Sequence, residues 1–123
     1  MKKYTKTHEW IEVNGTEGII GISQHAADEL GDVVFVELPA AEKSFAESDV
    51  LAVVESVKAA SDVYAPVSCE VLSVNEKLSS MPDSVNRDAE GEGWFAKVKV
   101  LNEQELDALM NEDEYQKFLS EEH

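Results

Sequence analysis

The chain has one cysteine, Cys69, among 123 residues. No internal disulfide is available, and a lone thiol points to an intracellular protein. Cations are also scarce: 10 Lys and Arg stand against 26 Asp and Glu, a net charge of −16. Phosphate backbones need the opposite sign, which argues against nucleic acid as a partner. The same charge favours solubility and a monomer, and it steers encounters with basic surfaces. Long apolar runs are missing, so no membrane span is expected. Met1-Lys2-Lys3 opens like a signal peptide, but no apolar segment follows, and there is no Arg-rich transit composition. A bacterial cytoplasm is the simplest home, with the mitochondrial matrix as the alternative.

Catalytic constellations are missing too. His8, His25 and His123 have no further ligand at metal spacing, so no metal site is expected. No Ser/His/Asp or Cys/His signature accompanies them. Gly91-Glu92-Gly93-Trp94 lacks a phosphate-loop pattern and reads as a turn into a strand. The chain is therefore read as a protein that is not an enzyme.

What is present is strand signal over a 43% apolar composition, enough for one domain with a real core. Trp10 to Val13 and Thr16 to Ile20 flank Asn14-Gly15, which predicts a hairpin with a type I′ turn. Ser23 is placed to cap a short helix, Gln24 to Leu30, ended by Gly31. Val33 to Leu38 reads as a strand stopped by Pro39. Residues 40–48 and 77–93 read as loops. Further strands are expected over Val50 to Val57, Val63 to Val67 and Glu70 to Val74. Trp94, Ala96, Val98 and Val100 alternate with Phe95, Lys97 and Lys99, the period of a half-buried strand. Trp10 and Trp94 are expected in or at the edge of the core.

The period then changes. Asn102-Glu103-Gln104-Glu105 has the form of a capping box, followed by Leu106, Leu109 and Met110 at helical spacing. Asn111-Glu112-Asp113-Glu114 repeats it, followed by Tyr115, Phe118 and Leu119. Between Glu103 and Glu122 there are eight acids and one lysine, the composition of a solvated helix face. The pattern predicts a mainly β sandwich or flattened barrel over 1–100 and acidic helices over 101–123.

Lys58 is the residue that carries chemistry. It lies in Glu55-Ser56-Val57-Lys58-Ala59-Ala60-Ser61-Asp62, between two strand runs, which places its amine at a hairpin tip. Thr7-His8-Glu9-Trp10-Ile11, Gly21-Ile22-Ser23, Leu30-Gly31-Asp32-Val33-Val34-Phe35-Val36-Glu37-Leu38-Pro39, Val54-Glu55-Ser56-Val57-Lys58-Ala59, Ser61 to Val67, Glu70-Val71, Val74-Asn75-Glu76 and Gly91-Glu92-Gly93-Trp94 surround it in order. Together these blocks resemble the glycine cleavage system H protein family.

The resemblance implies a lipoyl-type barrel-sandwich hybrid of two antiparallel sheets with short helices and a helical C-terminus. It implies lipoic acid in amide linkage to Lys58, placed there by a lipoate ligase or a lipoyl or octanoyl transferase. Three enzymes would then use the arm. A pyridoxal-phosphate glycine decarboxylase (P protein) loads an aminomethyl group, a tetrahydrofolate-dependent aminomethyltransferase (T protein) removes it, and dihydrolipoyl dehydrogenase (L protein) re-oxidises the dithiol. Glu9 and Asp62 match family positions that face the arm, and Thr7 borders them. The competing reading makes these acids turn caps or solvated charges. Glu55 is placed for reading by the lipoylating enzyme, or else is an edge-strand charge that discourages sheet pairing.

Three positions depart from the family. Cys69 stands in place of Gly, as a small buried hydrophobe or a thiol able to trade with the arm. Asp88-Ala89-Glu90-Gly91 replaces Asp-Pro-Tyr-Gly. Glu29 stands at a helix position where some relatives carry His, so an arm contact or partner contact there is expected to differ. A lipoyl domain of a 2-oxoacid dehydrogenase is disfavoured by the Val-Lys-Ala centre and by a chain read as complete in itself, and a biotin carrier by the absence of Met beside Lys58. A lipoyl relay to other complexes, or an interaction protein with Lys58 unmodified, remain the alternatives.

Overall fold

The computed structural model describes residues 1–121. Among these residues nine strands form two antiparallel sheets. The larger has six strands: β1 (Lys2–Tyr4), β2 (Glu9–Asn14), β3 (Glu17–Ile22), β5 (Ser44–Phe45), β8 (Cys69–Val74) and β9 (Ala96–Val100). Their spatial order is β1-β2-β3-β9-β8-β5. The smaller sheet is β4 (Val33–Glu37), β6 (Val50–Ser56) and β7 (Ala60–Tyr64), with β6 in the middle. The described residues also form four α-helices, α1 (Gln24–Leu30), α2 (Lys77–Ser80), α3 (Ser84–Arg87) and α4 (Glu112–Glu121), and a 3₁₀ helix over Glu103–Ala108. No helix among the described residues is long and apolar enough to cross a membrane. The expected two-sheet β architecture with a helical end is present.

Alternation explains most of the strands. In β9, Ala96, Val98 and Val100 are buried and Lys97 and Lys99 exposed. The strand is shorter than the expected pattern: Phe95 is fully buried and Trp94 only half-buried, both outside the ladder. One core cluster includes Ile11, Ile20, Val67, Val71 and Val98. A second places Val36, Val54, Val63, Leu78, Val85 and Phe95 beneath the smaller sheet.

Several local expectations shift. Asn14 pairs with Glu17, so the hairpin turn is Gly15-Thr16, one residue later than expected. Gly15 has φ +69° and neither Asn14 nor Thr16 is positive, which fits the II′ pattern and not I′. Residues 40–48 include β5, whose two residues pair with Glu70 and Cys69. Residues 77–93 contain α2 and α3, four residues each, too short to show a helical period. The expected Val63 to Val67 strand begins earlier, at Ala60, and ends at Tyr64. β1 carries no strand pattern of its own and forms because β2 offers it a partner edge.

The two capping boxes have different fates. At Asn111 the box is complete: its N–H donates to Glu114 Oε1 at 2.9 Å and its Oδ1 accepts from the Glu114 N–H at 2.8 Å. At Asn102 only half forms. Asn102 Oδ1 accepts from the Gln104 N–H, but Glu105 is drawn away to accept from the Ser68 N–H at 2.6 Å and from its hydroxyl at 3.0 Å. The segment becomes a 3₁₀ helix with only Leu106 buried. The end of the acidic run, Glu122 with His123, lies outside the described residues.

α4 closes on the β1–β2 edge through the expected stripe. Tyr115, Phe118 and Leu119 join Tyr4 and Trp10. The Tyr4 and Tyr115 rings stack at 4.3 Å, and the Tyr115 hydroxyl lies 2.7 Å from Ser23 Oγ and 2.8 Å from His8 Nδ1. Ser23 in turn caps α1 by accepting from the Ala26 N–H. One hydroxyl therefore ties the C-terminal helix to α1. Removing it in Tyr115→Phe should cost about 1–2 kcal/mol, the range for a buried polar partner left behind. Thermal denaturation would read this as a melting point lower by a few degrees.

Candidate functional site

Lys58 sits at the tip of the β6–β7 hairpin. Glu55 pairs with Ala60, and the Ser56 N–H donates to the Ala59 carbonyl at 2.8 Å, leaving Val57 and Lys58 as the turn. Neither has positive φ. Ser56 stabilises the turn instead: its hydroxyl oxygen accepts from the Lys58 and Ala59 N–H groups, each at 3.2 Å. The Val57 N–H is held by the Asp32 carbonyl at 3.0 Å. The tip is thus rigid backbone carrying one exposed amine.

That amine is not loose. Lys58 Nζ donates to the Glu29 carbonyl at 3.3 Å, at the C-terminal end of α1 where carbonyl dipoles favour a cation. Its stem crosses Gly31, where a Cβ would stand 3.2 Å from Lys58 Cε. Gly31 also has φ +76°. With ψ −164° this backbone lies in a region populated essentially by glycine alone, so Gly31→Ala should cost about 1–3 kcal/mol from the backbone alone, and move the lysine stem off the helix end. Denaturant unfolding checks the first effect.

A groove of about 190 Å³ begins at this helix end. Ile22, Ala26, Leu30, Val54 and Val63 are its apolar walls, and Thr7, Glu9, Glu29, Ser61 and Asp62 its polar ones. Glu9 is 2% exposed. One of its carboxylate oxygens accepts from the Thr5 hydroxyl at 2.6 Å and from the Thr7 hydroxyl, and the other from the Tyr64 N–H at 3.2 Å. A carboxylate offers about four acceptor positions, so one is left for a ligand. Burial pushes the Glu9 carboxyl above its usual range, against the lowering effect of its Thr5, Thr7 and Tyr64 donors. His8, with φ +74°, holds the turn that delivers Glu9. Asp62 is exposed on the edge strand β7. The groove thus presents one buried and two more open carboxylates along an apolar trough, suited to a long aliphatic chain ending in a cation.

The sequence-predicted residues separate into two places. Thr7, Glu9 and Asp62 share the groove. Glu55 is exposed on β6 and faces away from it. Because β6 is the central strand, the edge-strand explanation of Glu55 is ruled out. Glu29, the departure at a position of arm or partner contact, lines the groove, gives Lys58 its backbone carbonyl, and has its carboxylate 2.8 Å from His25 Nε2. Ser61, Leu30 and Ala26 were missed, since a small or apolar residue in a strand or helix gives no sign of which cavity it walls. The His8 and His25 rings approach to 5.1 Å, but among the described residues no group of three or more His, Cys, Asp or Glu is placed to hold a metal.

The remaining departures resolve structurally. Cys69 is fully buried, and burial with the Glu105 charge pushes its thiol up to about 11, so it packs as a hydrophobe and stays protonated. Glu90 accepts from the Tyr4 hydroxyl at 2.6 Å and the Gln24 N–H at 3.0 Å and pairs with Lys2 at 2.8 Å. Burial alone would raise its pKa; Lys2, Tyr4 and Gln24 together hold it below the usual range. The substituted segment therefore fastens β1 to the start of α1.

A two-sheet β fold with a hydrogen-bonded hairpin that offers one lysine near an apolar groove with carboxylates defines the class of a lipoyl-type carrier domain. The glycine cleavage H-protein family model matches residues 2–122. The chain is 48% identical to the glycine cleavage system H protein of Thermotoga maritima, over 99% of this chain and 98% of that one. It is 56% identical to that of Beijerinckia indica, over 97% and 96%. The crystal structure of a glycine cleavage system H protein from Mycobacterium marinum superposes with a TM-score of 0.89 at 30% identity, covering 97% of this chain and 96% of that one. The chain belongs to the glycine cleavage H-protein family.

Proposed function

We propose that the whole chain serves as one carrier domain bearing lipoic acid on Lys58, and that it shuttles the aminomethyl group of glycine from the P protein to the T protein before meeting the L protein. The observation that carries this reading is the Lys58 amine, exposed on a rigid turn and resting at the mouth of a carboxylate-bearing groove. The group, when bound, supplies a long arm ending in a dithiolane that opens and closes by thiol–disulfide exchange. Acylation removes the Lys58 charge, which weakens its hold on the Glu29 carbonyl and frees the stem to turn into the groove. The apolar walls cover the arm, while Glu9 and Asp62 receive the cationic amine of the cargo and Thr7 keeps the Glu9 carboxylate aimed. Glu55, outside the groove, is read by the lipoylating enzyme. In this role the chain is a substrate of its partners and not an enzyme. Its likeness to bacterial relatives supports a bacterial, cytoplasmic setting.

The test is glycine-dependent loading. Lipoylated protein incubated with P protein, pyridoxal phosphate and glycine should gain one aminomethyl group by intact mass. No gain, with the decarboxylase active on a control H protein, would remove the glycine role and leave a lipoyl relay.

A further inference from the structure

Among the described residues, no layer covers the outer face of the smaller sheet. Across it one row reads Phe35–Glu55–Ala60 and another Glu37–Val53–Asp62. Side chains alternate between faces along a strand. Val36, Val54 and Val63 accordingly face the core, while Phe35, Glu37, Glu55, Ala60 and Asp62 are exposed. A bulge between Val33 and Phe35 takes Val34 out of the ladder, so Val34 and Phe35 are both open, at 55% and 49%. Val57, at 67%, continues the apolar strip to the turn, where its N–H is fixed to Asp32. Apart from Asp62, which lies at the groove, the two rows carry two carboxylates, Glu37 and Glu55, and no Lys or Arg. An exposed aromatic paired with Glu55, sharing its face with Glu37, on the sheet that carries the modification point, has the form of a binding anchor with a polar rim.

The occupant follows from reach. Acylation brings an activated acyl carbon to Nζ, one side chain away from the turn, so the acylating enzyme has to seat on the residues around Val57 and Lys58. Enzymes that act later meet the far end of a long arm and are free to dock elsewhere. We propose that this face is the seat of the acylating enzyme, whose surface there has an apolar hollow for Val34 and Phe35 rimmed by Lys or Arg opposite Asp32, Glu37 and Glu55. The proposal rests on Lys58 being lipoylated, and extends recognition from Glu55 to a patch across two strands. The reaction it positions uses lipoyl-adenylate, made from lipoate and ATP. Nζ attacks the acyl carbon, the C–N bond forms, the bond to AMP breaks with its electron pair, and the Nζ proton is released.

The experiment is initial-rate lipoylation of the unmodified protein by a lipoate ligase, followed by intact mass over a range of protein concentrations at low and high salt. Phe35→Ala should raise KM about tenfold or more with kcat nearly unchanged, as truncating an interface anchor does. Glu37→Lys with Glu55→Lys should raise KM similarly and abolish the wild type's rise in KM with salt. Glu12→Lys with Glu121→Lys makes the same net charge change away from the face and should leave KM within about twofold. All these side chains are exposed, and unchanged melting curves would show that the variants are folded. If KM stays at the wild-type value in the face variants, or rises equally in the remote pair, the proposal is overturned. It is also overturned if the face variants slow aminomethyl delivery but not acylation, which would give the face to a downstream enzyme. A wild type that gains no lipoyl group from a ligase active on a control domain would instead overturn the lipoyl reading, and this proposal with it.

Discussion

Lys58→Arg should gain no mass from lipoate, ATP and an active ligase, whereas the wild type gains one lipoyl group. A guanidinium stays protonated at neutral pH and is no acylation nucleophile. The substitution keeps the charge and a stem of similar length, and the position is exposed, so stability should stay within about 0.5 kcal/mol of wild type. Glycine-dependent carbon dioxide release in the reconstituted system should fall to the level without this chain. A variant that still acquires one lipoyl group would move the attachment point to another lysine. A variant that unfolds would show up in the melting curve and would call for Lys58→Gln, which also lacks a basic amine.

Neutralising the groove should shorten the life of the loaded cargo without affecting lipoylation. A charge-assisted hydrogen bond is worth about 1.5–3 kcal/mol, so Glu9→Gln should speed loss of the aminomethyl group by about tenfold or more. Asp62 is exposed, and Asp62→Asn should add only a few-fold at most, in line with the small worth of surface ion pairs. The pH dependence has a defined sign. Burial raises the Glu9 pKa, so the carboxylate proposed to receive the cargo amine forms at a higher pH than an ordinary glutamate would. Cargo loss should accelerate as pH falls through that raised value, and Glu9→Gln should flatten the profile. Stability moves the other way. The folded state holds the Glu9 proton more tightly than the unfolded chain, so its contribution falls as pH rises from the unfolded to the folded pKa. Decay measured by mass at several pH values separates the readings. If Glu9 only braces Thr5, Thr7 and Tyr64, its replacement should alter the melting point and leave the decay rate unchanged.

The structure sharpens what the Glu9 reading means. The resemblance placed Glu9 and Asp62 together, but it treated them as equals. In the fold one is 2% exposed and engaged by three donors, and the other lies open on an edge strand. Glu9 appears in a run, Thr7-His8-Glu9-Trp10, that looks like the polar start of a strand. Nothing in that run signals that the carboxylate will be turned inward, because its burial depends on β7 and α1 closing over it. Glu29 shows the reverse. The sequence marks it as a departure at a position of arm or partner contact, but only the hairpin brings Lys58, 29 residues further on, to its backbone carbonyl.

Much of the molecule was nevertheless determined by the sequence alone. The alternation of β9, the Ser23 cap and Gly31 stop of α1, the complete box at Asn111 and the lysine between two strand runs are all set by interactions within a few residues. Side-chain period, turn chemistry and capping act over that range, so they are legible in a linear chain. The tertiary structure alone decided the rest. It chose a 3₁₀ helix over Glu103–Ala108 because Ser68, far away in sequence, captured Glu105. It made a groove from β2, β3, α1, β6 and β7, and it left one face of the smaller sheet open beside Lys58. Those features depend on which distant surfaces exclude water together, and packing settles that only once the two sheets have closed.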